Sequence, residues 1–157
     1  MRFSLLLLFG ILCTAGCAGP ELSGPDVVPE PPEFLENGEP SVITVQHCLI
    51  GFTGSVQGKD VRRSKEDAGK LAAELLEKAK SGEDFDAIVK AYTNDSPPGI
   101  YTMANSGLRT RSGTYSRDGM VPAFGDVGFK LEVGEYGMSE HDPIASPFGW
   151  HIIKRIK

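Results

Sequence analysis

The sequence predicts an α+β domain built on a small antiparallel sheet, and three observations carry that prediction. Alternating, β-branched runs stand at residues 41–50 (SVITVQHCLI) and 150–156 (WHIIKRI), and such runs read as strands. Residues 65–80 are rich in Ala, Leu and Glu, with apolar positions at helical spacing. The order strand, helix, helix, loop, helix, strand, strand does not alternate as βα units do, so it favours an α+β arrangement over a parallel sheet.

The elements follow in order. Met1-Arg2 gives one positive charge ahead of an eleven-residue apolar run, 3–13. A membrane-spanning helix needs about 20 apolar residues, so the run suits the hydrophobic region of a secretory signal peptide. Thr14-Ala15-Gly16-Cys17 resembles a bacterial lipobox. On that reading residues 1–16 are a signal peptide and Cys17 becomes the lipidated first residue, anchored stably because it carries more than one acyl chain. Ala18 after the cysteine resembles an outer-membrane sorting signal, which places the chain in the bacterial cell envelope on the periplasmic face. Ordinary signal cleavage after Ala18 is the alternative.

Residues 17–40 follow as an acidic, Pro-rich tether. Positions 18–40 hold six of the eleven prolines, six acids and no Lys or Arg. Proline removes donors and fixes φ, and like charges repel, so an extended spacer is expected. The domain then occupies 41–157. After the first strand, 51–60 is a polar loop. Ser64 stands three residues before Asp67, a near capping box that starts a helix over 65–80. Its inward face would be Ala68, Leu71, Leu75 and Ala79. Residues 84–92 give a second helix with Phe85, Ile88 and Val89 inward. Residues 97–113 are rich in Pro, Gly, Asn and Ser and read as loop. Residues 122–131 suit a short helix, 133–146 turns and a strand, and 150–156 a closing strand.

Composition narrows the function. A chain of 157 residues permits one ordinary domain. It holds 16 basic against 21 acidic side chains, a formal net charge of −5, and lacks the basic patch that nucleic acid requires. Residues 41–157 alone carry 15 of each sign, so the acidity belongs to the tether. Three cysteines cannot all pair with one another. No HExxH, CxxC, phosphate-binding glycine loop or GxSxG occurs. The spacing of His47, His141 and His151 matches no zinc pattern, and no metal or cofactor is expected. A strand histidine such as His47 is by default a hydrogen-bonded core residue.

Five strings, taken together, resemble the parvulin-type peptidyl-prolyl isomerases. They are His47-Cys48-Leu49-Ile50; Ser81-Gly82-Glu83-Asp84-Phe85 with Tyr92-Thr93-Asn94-Asp95-Ser96; residues 113–124 (GTYSRDGMVPAF); Val133-Gly134-Glu135; and residues 146–153 (SPFGWHII). They stand in the family's order across 42–157. The resemblance implies a single parvulin-like α+β domain, with a four-stranded antiparallel sheet surrounded by about four helices. It implies an isomerase of X–Pro bonds that needs no cofactor.

His47 and His151 would be the family's paired histidines, and Asp95 the residue that is Cys in some parvulins and Asp in others. Ser146 would replace the usual Thr that hydrogen-bonds to the histidines. Met120 and Phe124, four apart and therefore on one helix face, would floor the proline pocket, with Phe148 beside it. The stretched segment 97–112 departs from the family, and Leu108 is expected to fold over the pocket. Partners would be proline-containing polypeptides, bound by a monomer. The 51–60 loop carries only Lys59, which argues against phosphoserine-proline targets. A non-catalytic chaperone or docking module is the competing function.

Overall fold

The computed structural model describes residues 30–157; residues 1–29, with the expected signal peptide, Cys17 and most of the tether, lie outside them. The elements are β1 (Val42–Ile50), α1 (Lys65–Lys80), α2 (Phe85–Tyr92), β2 (Ile100–Ala104), β3 (Tyr115–Ser116), a single 3-10 turn (Arg117–Gly119), α3 (Pro122–Gly128), β4 (Tyr136–Ser139) and β5 (Trp150–Arg155). They form one sheet in the order β3-β2-β1-β5-β4. The first and last strands of the domain thus lie side by side at its centre, with His47 opposite Ile153 and Leu49 opposite His151.

Side chains alternate across a strand, so β1 serves two cores. Cys48 and Ile50 join Ile152 against the buried residues of α1 and α2. Ile43 and Val45 join Met103, Phe124, Phe129 and Ile153 beside α3. His47 belongs to the second face and Cys48 to the first. Burial pushes the Cys48 thiol up to about 12, and no part of the residue is exposed.

Ser64 caps α1 by accepting from the Asp67 amide at 3.0 Å, and its hydroxyl donates back to the Asp67 carboxylate at 2.6 Å. The buried stripe of α1 is Ala68, Ala72, Leu75 and Ala79; the expected Leu71 is only partly buried. Steps of four, three and four follow the 3.6-residue turn more closely than the pattern with Leu71. Small residues here let the sheet approach: a Cβ on Gly69 would sit 3.0 Å from the Trp150 ring. In α2, Phe85, Ile88 and Val89 are buried, as expected.

The α+β class holds, with three corrections to the detail. The sheet has five strands rather than four, and β2 and β3 run parallel. Three α-helices are present among the described residues rather than about four. The segment 97–113 is not all loop: Ile100–Ala104 pairs antiparallel with β1, Tyr101 opposite Val45. The Pro97-Pro98-Gly99 and Asn105-Ser106-Gly107 flanks hid five residues of alternating β-formers.

The last part of the expected tether is also folded. Phe34 bridges to Pro40 around a turn in which the Leu35 amide donates to Glu39 at 2.8 Å and that of Gly38 to Leu35 at 2.9 Å. Gly38 takes φ 81°, which Asn37-Gly38 readily supplies. The Glu39 carboxylate then accepts from Arg117 at 2.9 Å. An acid read as solvated repulsion has a basic partner 78 residues on.

Candidate active site

Three chain segments meet over the middle of the sheet. The centre of β1 supplies His47 and the start of β5 supplies His151. The segment after α2 supplies Asp95, and its placement has a local cause. Thr93 Oγ1 accepts from the Leu49 amide at 3.1 Å and from that of Asp95 at 3.2 Å. Asn94 Oδ1 accepts from the Gly51 amide at 2.9 Å and from Arg63 at 2.9 Å. Thr93-Asn94 therefore clips the end of α2 to the end of β1 and delivers Asp95 to His47. Arg63 is part of the clip, whereas Arg62 is exposed and paired with Asp60.

The result is a hydrogen-bonded chain. His47 Nδ1 lies 3.2 Å from His151 Nδ1, and His47 Nε2 lies 3.0 Å from Asp95 Oδ2. The Tyr101 hydroxyl donates to the same oxygen at 2.8 Å. The imidazole protons follow from this pattern. The carboxylate oxygen can only accept, so His47 Nε2 carries a proton. In the neutral ring Nδ1 is then an acceptor, and His151 Nδ1 supplies the proton between the rings. His151 Nε2 is left as an acceptor. It is buried without a partner, as is the hydroxyl of Ser139, which stands opposite it in the β4–β5 register.

Electrostatics agree with that polarity. The His47 hydrogen bond, helped by that of Tyr101, holds the Asp95 carboxyl well below the usual carboxylate range although partial burial pulls the other way. Burial, then the neighbouring His47, lowers His151 to about 3, so this ring stays neutral. Burial and the Asp95 carboxylate raise Tyr101 to about 12, which keeps its hydroxyl a donor. Asp95 is the charged member, with a third of its side chain exposed.

Beside the chain lies a cavity of about 230 Å³ lined by His47, Leu49, Val56, Asp95, Tyr101, Met120, Val121, Phe124, Phe148 and His151. Phe124 meets the His47 ring edge-on at 5.0 Å and is almost fully buried, whereas Phe148 is an exposed rim residue. Arg117 braces this floor. It bonds Glu39, Asn105 at 2.9 Å and Asp126 at 2.8 Å, and lies 4.7 Å over the Phe129 ring.

Two expected residues are placed differently. Ser146 does not extend the histidine chain: its hydroxyl donates to the Gly149 carbonyl at 2.8 Å, bracing the turn before β5. Leu108 does not line the cavity; its amide closes a turn onto Asn105 at 3.2 Å. Tyr101 takes the wall position instead. Missed residues are Tyr101, Leu49, Val56, Val121 and the Thr93-Asn94 clip. Leu49, Thr93, Asn94 and Val121 stand inside the family-like strings without a role read for them, and Tyr101 is the aromatic in an alternating IYTMA.

The fold thus sets paired histidines over a central strand pair with an apolar cavity against them, and the family model that matches it defines a parvulin-type domain. A model described as the PPIC-type PPIase domain matches residues 35–156, and the chain belongs to that family. The match begins ahead of β1, where Glu39 joins Arg117.

The chain is 40% identical over 88 residues to the foldase protein PrsA 4 of Bacillus cereus, covering 54% of this chain and 26% of that one. It is 32% identical over 111 residues to the chaperone SurA of Chromohalobacter salexigens, covering 70% and 21%. It thus spans only about a quarter of these relatives. The solved peptidyl-prolyl isomerase ESS1 from Candida albicans shares the fold, with a TM-score of 0.58, 23% identity and coverage of 79% and 66%.

Proposed function

We propose that the chain is a peptidyl-prolyl cis–trans isomerase acting on X–Pro bonds of extended polypeptides. One observation carries this: the cavity that would take the proline ring is walled by the His47–Asp95 pair, so the ring and the reacting amide are held together. Planar amides are separated by a barrier of ~18–20 kcal/mol that arises from resonance. Each tenfold acceleration needs ~1.4 kcal/mol of preferential binding to the twisted form. A thousandfold effect is therefore within reach of a desolvated pocket and a few fixed charges. Twisting removes negative charge from the carbonyl oxygen, so an anionic Asp95 near that oxygen disfavours the planar forms relative to the twisted one. His47, Asp95 and His151 set this field; Met120, Phe124 and Phe148 grip the ring. No covalent bond forms.

No Lys or Arg lines the cavity, which supports unmodified rather than phosphorylated targets. The apolar run 3–13 and Thr14-Ala15-Gly16-Cys17 support an exported chain anchored through Cys17 to the outer membrane, with exported unfolded proteins as substrates. Acyl mass on the mature N-terminus, lost in Cys17→Ser, tests the anchor; an unmodified N-terminus refutes it.

The isomerase test is the cis–trans exchange rate of a prolyl peptide with the intact protein, His47→Ala and Phe124→Ala. Each variant should lose at least about tenfold of the acceleration; equal rates in all three refute the assignment. The likeness to the chaperone SurA supports a second reading, a non-catalytic holdase. Suppressed aggregation without accelerated exchange would favour it.

A further inference from the structure

Tyr101 comes from the strand that interrupts the stretched 97–112 segment, and register explains where it lies. It pairs with Val45 on β1, two residues before His47, and residues two apart share a sheet face. Its ring meets His47 edge-on at 5.2 Å and Phe124 at 6.1 Å. Its hydroxyl donates to the Asp95 oxygen that His47 also meets. One side chain therefore touches the cavity floor, the imidazole and the carboxylate.

We propose that Tyr101 is a positioning residue of the isomerase site: its hydroxyl fixes the Asp95 carboxylate and so the tautomer and angle of His47, while its ring forms the wall that confines the proline. This rests on the isomerase reading above. Without the hydroxyl, the carboxylate keeps His47 and the Ser96 amide but loses one of its restraints against turning about χ2, a broad and soft rotation. His47 then loses the constraint that commits its proton to Nε2.

The test uses the full chain with Tyr101→Phe, which keeps the ring, and Tyr101→Leu, which does not. Tyr101→Phe should lower kcat about tenfold, the scale of one hydrogen bond to a charged group, with KM changed by less than about twofold. The acid limb of its rate profile should move to higher pH, because Asp95 has lost a donor that favours its ionised form. Tyr101→Leu should in addition raise KM by about tenfold. Ring ¹⁵N shifts of His47 should report one Nε2–H tautomer in the intact protein and a mixture in Tyr101→Phe. A Tyr101→Phe protein with unchanged kcat, pH profile and ring shifts overturns the proposal. If the intact protein does not accelerate exchange, the isomerase reading fails, while the ring shifts still decide whether Tyr101 orients His47.

Discussion

His151 shows what burial of a titratable ring costs the fold. Its side chain is neutral in the folded protein because burial lowers it to about 3, whereas its ordinary value is 6.5. The unfolded chain therefore binds a proton near pH 6.5 that the folded chain refuses. Stability is lost wherever the unfolded state binds more protons, so it should fall as pH drops from about 6.5 towards 3. Asp95 works in the same direction at lower pH: its folded value is depressed, so its contribution is present above the ordinary carboxylate range and lost as the carboxylate is protonated. Urea denaturation from pH 8 to 4 should show a decline through pH 6 and 5. His151→Gln should flatten that part of the curve, and an identical slope in the variant would show that another group is responsible.

Among the elements, β1 is the most constrained, because both neighbouring strands, Thr93, Asn94 and a glycine turn all fasten to it. The His47 amide donates to the Gly99 carbonyl at 2.8 Å. Gly99 has φ +67°, and a Cβ there would collide with the His47 carbonyl oxygen. Gly99→Ala should therefore destabilise the domain by about 1–3 kcal/mol, the scale of a strained left-handed residue with a backbone clash. Denaturant midpoints measure it, and a change below about 0.5 kcal/mol would mean that the 97–99 turn yields. The clash is local to residue 99, so secondary structure should survive.

At the scale of the molecule, the domain extends beyond the sheet's own strands. Residues 31–157 form one unit, and Glu39 reaches Arg117 between the sheet and α3. A chain beginning at Ser41 should be less stable than one beginning at Pro31 by about 1–3 kcal/mol, the cost of losing the Glu39 bonds to Arg117 and Asn105 while Arg117 keeps only Asp126 as a carboxylate partner. Thermal or urea unfolding of the two compares them directly; equal stability would make the Glu39 contact incidental. This contact also marks the limit of what the sequence reveals. Helices and central strands were legible, because Ser64, the Ala stripe and the VITV and WHII alternations encode them locally. His47, His151, Asp95, Met120, Phe124 and Phe148 were legible through the resemblance of their strings to the family, and they converge on the cavity, although Met120 precedes α3 in extended backbone rather than sharing a helix face with Phe124. Glu39–Arg117, the parallel β3 and the place of Tyr101 were not legible, because each arises from pairing between distant segments. Ser146 failed for the opposite reason: a local bond to Gly149 captured its hydroxyl first.

Cys48 and Asp95 together have a consequence for chemistry outside folding. Among the described residues, Cys48 is the free thiol; it stands behind the sheet from the cavity, buried and with a thiolate that forms only at about pH 12. Oxidants and electrophiles attack the exposed thiolate, and the cavity wall presents a carboxylate in its place. The wall of the cavity thus offers peroxide a carboxylate and no thiol, and the thioether of Met120 is the one sulfur that lines it.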